Sequence, residues 1–231
     1  MYKRVLLKLS GEALAGASGM GLDLETTRKV AEQVKEAHEL GIQIGIVIGG
    51  GNWWRGRSSE VIDRVKADQI GMLATVMNCL YVSEVFRTLG MDTSVYVPYP
   101  IGLYTEVFSK DKAVRDLEQG KIVFFAGGSG HPFFSTDMAT ALRAAETDCD
   151  VVLMAKSVDG VYDDDPEINP HAKKYDSMTY QEILDKQLKV IDLSAAILLM
   201  ERKIPSKLFA LKEEGGIIRV FQGASVGTTI E

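Results

Sequence analysis

Short apolar runs alternate along this chain with longer stretches in which apolar residues recur every three or four positions. The runs at 5–9, 42–48 and 122–126 are rich in branched and aromatic residues, the pattern of strands buried on both faces of a parallel sheet. Further strands are predicted over 93–97, 150–155, 206–210 and 217–221. Helices are predicted over 24–40, 62–89, 110–119, 136–146, 179–187 and 194–202, with Gly41 stopping the first. The alternation up to residue 155 predicts an α/β fold: a doubly wound three-layer αβα sandwich on a mostly parallel sheet. Beyond it, a tight turn at Asp159-Gly160 and the acidic Asp163-Asp164-Asp165-Pro166 loop change the texture. One domain is therefore expected over 1–231, with lobes of 1–155 and 156–231.

The helix predicted over 62–89 stands out, because its middle is apolar nearly all round. Met72, Leu73, Val76, Met77 and Leu80 crowd it, and such a helix is buried on several sides or lies in a subunit interface. A homo-oligomer is expected.

Composition narrows the function. Apolar residues make up 46% of the 231 and charged ones 25%, which are values of an ordinary globular chain. The net charge of −6 argues against general nucleic-acid or membrane-surface binding. Two cysteines, Cys79 and Cys149, sit in apolar surroundings and read as buried thiols of a reducing compartment. With no secretory leader or membrane span in the pattern, a cytoplasmic location is expected.

Three of the predicted strands end in glycine-bearing turns: Lys8-Leu9-Ser10-Gly11, Gly49-Gly50-Gly51-Asn52 and Gly127-Gly128-Ser129-Gly130. Glycines there let bare backbone N–H groups close on an anion, and three of them together suggest a floor for phosphates. Common alternatives lack their signatures. No Walker-type loop, complete dinucleotide fingerprint or nucleophile elbow occurs, and the three histidines are too scattered for a metal cluster. Taken singly the candidates are unremarkable. A strand-end lysine is usually a solvated edge residue, Asp163–Asp165 a capped turn, and Trp53 and Trp54 packing anchors. Asp192 reads as a helix cap or as a residue supporting the site.

Together, Lys8-Leu9-Ser10-Gly11-Glu12, the triple-glycine turn and Asp159-Gly160-Val161-Tyr162 with its acidic loop resemble the amino acid kinase superfold. Within it, three segments resemble the bacterial UMP kinases: Gly49-Gly50-Gly51-Asn52 with Arg55-Gly56, Asp68 ahead of the Gly71–Asn78 run, and Gly130-His131-Pro132-Phe133-Phe134-Ser135-Thr136-Asp137. That resemblance implies ATP-dependent phosphorylation of UMP to UDP in pyrimidine nucleotide biosynthesis, with Mg2+ carried on ATP, no dedicated protein metal site and a homohexamer. It assigns catalysis to Lys8, Asp137 and Lys156. ATP contacts fall to Lys8, Leu9, Ser10, Gly11, Gly51, Arg55, Lys156, Ser157, Tyr162 and Asp165. UMP contacts fall to Gly50, Asp68, Gly128, Ser129, Gly130, His131, Pro132, Phe133, Phe134 and Ser135.

The resemblance also implies regulation by GTP activation and UTP inhibition, with Gly16, Ala17, Ser18, Gly19, Met20 and Gly21 similar to a segment implicated in the response. Here the connection over 98–112 lacks the paired arginines of many relatives, so weak or absent GTP activation is expected. His131 replaces a usual asparagine, and Lys156 is placed differently from the corresponding lysine. Two alternatives stay open: a kinase of the same superfold acting on a carboxylate or carbamate, and a non-catalytic relative that binds nucleotides or oxyanions.

Overall fold

The computed structural model describes residues 2–54, 61–164, 166, 168–169, 171–188, 190–213 and 215–231. The first half runs β1 (Arg4–Leu9), α1 (Gly11–Leu14), α2 (Leu24–Glu39), β2 (Gln43–Ile48), α3 (Arg64–Thr88), β3 (Thr93–Val97), β4 (Glu106–Val107) and α4 (Lys110–Glu118). It continues with β5 (Ile122–Phe125), α5 (Thr136–Glu146), β6 (Val151–Lys156), β7 (Val161–Tyr162), β8 (Lys174–Tyr175) and β9 (Ser177–Met178). Last come α6 (Tyr180–Asp185), α7 (Leu193–Arg202), β10 (Ser206–Ala210), α8 (Gly216–Phe221) and β11 (Thr228–Ile230).

Nine strands form one sheet in the order β4-β3-β5-β2-β1-β6-β10-β11-β9. Only β10 and β11 pair antiparallel within it, and β7 with β8 makes a separate hairpin. Along β1, side chains alternate between the faces. Val5, Leu7 and Leu9 join a core with Val30 and Val34 of α2, Val76 and Val82 of α3, and Val220 of α8. Leu6 joins the opposite core, with Leu117 of α4, Ala141 of α5, Ile183 of α6 and Leu199 of α7. This is the expected three-layer sandwich. Strand β1 lies between β2 and β6, so the chain departs in both directions from the centre and leaves a crevice at the carboxyl ends of these strands.

One element differs in kind. Residues 217–221, predicted as a strand from their branched and aromatic composition, form helix α8. Gly215, at φ +66, caps the helix, Gln33 of α2 accepts the Ile217 N–H at 3.1 Å, and Ile217, Val220 and Phe221 are fully buried. Packing against α2 overrides the local β preference. The strand that follows β10 and pairs with its side away from β6 is β11, which the pattern does not mark.

Helix α3 is long and apolar enough by length and composition to cross a membrane, the single such helix among the described residues. Its buried side, including Ala67, Ala74, Val76, Cys79, Val82 and Phe86, packs into the fold. Ile70, Leu73, Met77 and Tyr81 form an exposed stripe at helical spacing, each about 40–50% accessible.

Candidate active site

The three glycine turns converge on the crevice. Between them opens a cavity of ≈ 620 Å³ whose lining includes Lys8, Gly50, Gly51, Asp68, Gly128, Ser129, Phe134, Ser135 and Asp137. The turns reach it by close backbone packing. A Cβ on Gly11 would fall 2.3 Å from both the Gly49 carbonyl and Asn52 Oδ1, and one on Gly50 would fall 2.8 Å from the Gly71 carbonyl of α3.

Charge concentrates at one end. Asp137 lies in the first turn of α5, where Ser135 caps the helix by accepting the Met138 N–H at 3.2 Å and the positive end of the helix favours a carboxylate. Lys8, from the end of β1, sits 3.2 Å from Asp137 Oδ1. Lys156, from the end of β6, sits 3.5 Å from Oδ2 and also donates to the Val190 carbonyl. All three side chains are more than four-fifths buried. Burial raises the Asp137 pKa, but the Lys8 and Lys156 cations and the N–H groups donated to it outweigh that and hold it at about 2. For Lys156, burial lowers the pKa, Asp137 opposes that, and repulsion from Lys8 adds to the lowering. Two cations thus share one buried carboxylate, an arrangement with charge left over for an arriving anion.

Elsewhere in the lining, Asp68 of α3 accepts from Arg64 Nε at 2.9 Å and from the Phe133 N–H at 2.7 Å. Phe133 adopts φ +72, and its ring lies under the Arg64 guanidinium, 5.6 Å from centroid to Cζ. Phe133 and Phe134 are half or more exposed, and His131 is exposed. Pro132 and Gly130 complete the loop, with Gly130 at φ +84 packed on Pro98.

Other expected residues lie apart from this cavity. Leu9 is wholly buried in the core, so only its backbone is available to a ligand. Ser10 precedes α1 without a side-chain capping bond. Ser157 is exposed beyond β6, and Tyr162 lies on the β7–β8 hairpin with its hydroxyl donating to Asp159 at 2.7 Å. Arg55 and Asp165 lie outside the described residues. Of the segment 16–21, residues Gly16–Ser18 form a 3-10 turn and Met20 is exposed. Gly21 is hydrogen-bonded to Asn52, its N–H reaching the Asn52 carbonyl at 3.1 Å.

The cavity also recruits residues not singled out as contacts: Glu12, Trp54, Ala67, Gly71, Met72, Thr75 and Thr136. Gly71, Met72 and Thr75 stand three, four and seven residues on from Asp68, so helical spacing from that aspartate could have found them, with Ala67 one turn before Gly71. Trp54 donates its Nε1 to the Ala67 carbonyl at 3.0 Å, which turns it into the cavity wall. Asp192 serves both suggested purposes. Its side chain caps α7 by accepting the Ser194 N–H, and its own N–H points at Asp137 Oδ2 from 3.4 Å.

Comparisons with known proteins bear on the chain as a whole. The model of the amino acid kinase family matches residues 3–217. A uridylate kinase of Pediococcus pentosaceus is 48% identical, with 99% of this chain and 96% of that protein covered. The crystal structure of a Bacillus anthracis UMP kinase superposes with a TM-score of 0.96 at 38% identity, covering 100% of this chain and 96% of the other. A Ureaplasma parvum UMP kinase gives 0.93 at 32% identity, covering 100% and 99%. The chain belongs to the amino acid kinase family, in its UMP kinase branch.

Proposed function

We propose that this chain transfers the γ-phosphoryl group of ATP to UMP, giving UDP and ADP in pyrimidine nucleotide synthesis. The observation that carries this reading is the Lys8–Asp137–Lys156 triad at the meeting point of β1, α5 and β6, at one end of a cavity that continues to Asp68 and the 128–135 loop. Phosphoryl transfer asks a protein for in-line positioning and charge neutralisation rather than covalent chemistry. Two anionic nucleotides meet here. Lys8 and Lys156 neutralise the transferred group, and Asp137 keeps both ammonium groups aimed while opposing the effect of burial on Lys156. The backbone of Ser10, Gly11 and Gly51 holds the ATP phosphates, while Gly50 and the 128–135 loop hold UMP, with Asp68 toward its ribose. In this reading, residues 156–231 form the ATP lobe, with Ser157, Tyr162 and Asp165 on the adenosine side and Arg55 on the phosphates. Residues 1–155 form the UMP lobe.

No cluster of three or more His, Cys, Asp or Glu able to hold a metal occurs among the described residues. Asp137, a carboxylate of the cavity lining, is committed to two lysines. Such a donor set fits magnesium carried by the ATP phosphates with few protein ligands. When bound with ATP, the ion would supply further neutralisation of phosphate charge.

An acceptor panel tests the reading. With ATP, UMP is phosphorylated, whereas glutamate, aspartate and carbamate are not. CMP is used ~10–100-fold less efficiently than UMP, because a backbone loop matched to uracil N3–H and O4 leaves polar groups unpaired against cytosine, at ~1–3 kcal/mol. Equal efficiency with CMP, or preference for a carboxylate, overturns it.

The exposed stripe Ile70, Leu73, Met77 and Tyr81 on α3 supports a homo-oligomer, read here as a hexamer built from dimers in the cytoplasm. Sedimentation should find an assembly and Leu73→Glu should dissociate it; a stable wild-type monomer would refute this. The arginine-poor connection over 98–112 predicts weak GTP activation and leaves UTP to act as an inhibitor. Strong activation by GTP at fixed ATP and UMP would contradict the first of these.

A further inference from the structure

Helix α3 touches both nucleotide-side glycine turns from one buried face, through side chains one helical turn apart. Asn78 is fully buried. Its Nδ2 donates to the Gly49 carbonyl at 2.7 Å and to Asn52 Oδ1 at 2.8 Å. Its Oδ1 accepts from Asn52 Nδ2 at 3.0 Å and from Trp53 Nε1 at 2.7 Å. Two donors and two acceptor positions are the full capacity of an asparagine amide, and all are used on the triple-glycine turn. Asn52 in turn donates to the Gly21 carbonyl at 2.6 Å and stands against Gly11, where a Cβ would meet its Oδ1.

Three residues earlier, Thr75 is also buried. Its hydroxyl proton goes to the Met72 carbonyl of its own helix at 2.7 Å, which leaves the oxygen lone pairs facing outward. The Gly127 N–H donates to that oxygen at 2.8 Å, at the root of the 127–130 turn. A buried, fully satisfied polar network specifies one geometry, because any displacement strands groups that water cannot reach.

We infer that Asn78 and Thr75 are positioning residues that clamp the two glycine turns at a fixed separation across the cleft. Asn78 sets the Gly50 and Gly51 amides at the point of transfer, and Thr75 sets the loop that receives the acceptor nucleotide. Neither needs to touch the transferred group. The assignment of the loops to acceptor and transfer rests on the UMP kinase reading; the clamp itself does not.

The test uses the full chain with Thr75→Val, Thr75→Ala, Thr75→Ser, Asn78→Ala and Asn78→Asp, in two readouts. Deuterium exchange on the unliganded protein requires no turnover. Thr75→Val and Thr75→Ala should speed exchange at 127 about tenfold or more while Thr75→Ser keeps wild-type protection, since only the hydroxyl acceptor matters. Asn78→Ala should do the same over 49–54, and Asn78→Asp, which cannot donate to Gly49, should fall on the side of alanine. In steady-state assays with ATP and UMP, Thr75→Val should raise the KM for UMP ~10-fold with the KM for ATP little changed. Asn78→Ala should chiefly lower kcat. Exchange at both turns unchanged by these substitutions, or Thr75→Ser behaving like Thr75→Val, would refute the clamp. A wild-type protein that fails to phosphorylate UMP would refute the UMP reading instead, with the exchange result still deciding the clamp.

Discussion

Replacing Lys8 with alanine lowers kcat for UMP phosphorylation by ~100–1,000-fold while the protein stays folded. The magnitude is that of losing one preorganised charge donor at a transition state, about 3–4 kcal/mol. Lys8 meets the conditions for it. Its side chain is about 12% exposed, it ends a central strand whose backbone is paired on both sides, and Asp137 fixes its ammonium at 3.2 Å. The fold should survive because the β1 core residues Leu7 and Leu9 are untouched and Lys156 still neutralises Asp137. The loss should appear in kcat more than in the KM for either nucleotide, as expected for a contact that strengthens when charge develops. A Lys8→Ala enzyme within a factor of a few of wild type would reduce Lys8 to a partner of Asp137 and remove the mechanism.

Asp137→Asn is expected to lower kcat by a similar order and, more tellingly, to move its pH dependence. In the native protein Asp137 raises the Lys156 pKa against the lowering caused by burial and by Lys8. Without the carboxylate those two lowering effects act unopposed, so Lys156 gives up its proton at a lower pH. The alkaline fall in kcat should therefore shift toward neutrality in the variant. The acid side follows from Asp137 itself. Its carboxyl falls from 3.8 to about 2 on folding, so its stabilising effect is present above about pH 4 and is lost as pH drops toward 2. Acid titration of unfolding should show that loss in wild type and not in Asp137→Asn. Breaking a buried ion cluster also costs ~3–5 kcal/mol, so chemical denaturation should report a less stable variant. An unchanged alkaline limb would mean that Lys156 does not feel Asp137 in the working enzyme.

The amino-acid sequence by itself determined the layered α/β architecture and the segments from which the site is built. Strand β3 over Thr93–Val97, helix α5 over Thr136–Glu146 and strand β10 over Ser206–Ala210 lie where the pattern predicts them, because the strands are short runs buried along nearly their whole length and the helix is capped by Ser135 and buries one face. Lys8, beside a glycine turn, and Asp137, at a helix start, stood out by their local setting, whereas Asp68, inside α3, was marked only by the resemblance of the run that follows it. Tertiary structure decided the rest. Helix α8 forms from β-prone residues because α2 offers a surface to bury Ile217 and Phe221 and a side-chain acceptor for the helix start. The short strands β4, β7, β8 and β9 exist only where a neighbouring edge supplies hydrogen bonds, so two residues of sequence cannot announce them. Lys156 joins Lys8 on Asp137 because β6 pairs beside β1, a register that bridges nearly 150 residues of chain. Asn78 and Thr75 look like polar interruptions in an apolar helix until the glycine turns dock on them. A buried polar side chain becomes readable only when its partners are known, since those partners come from strands far away in sequence and near in space.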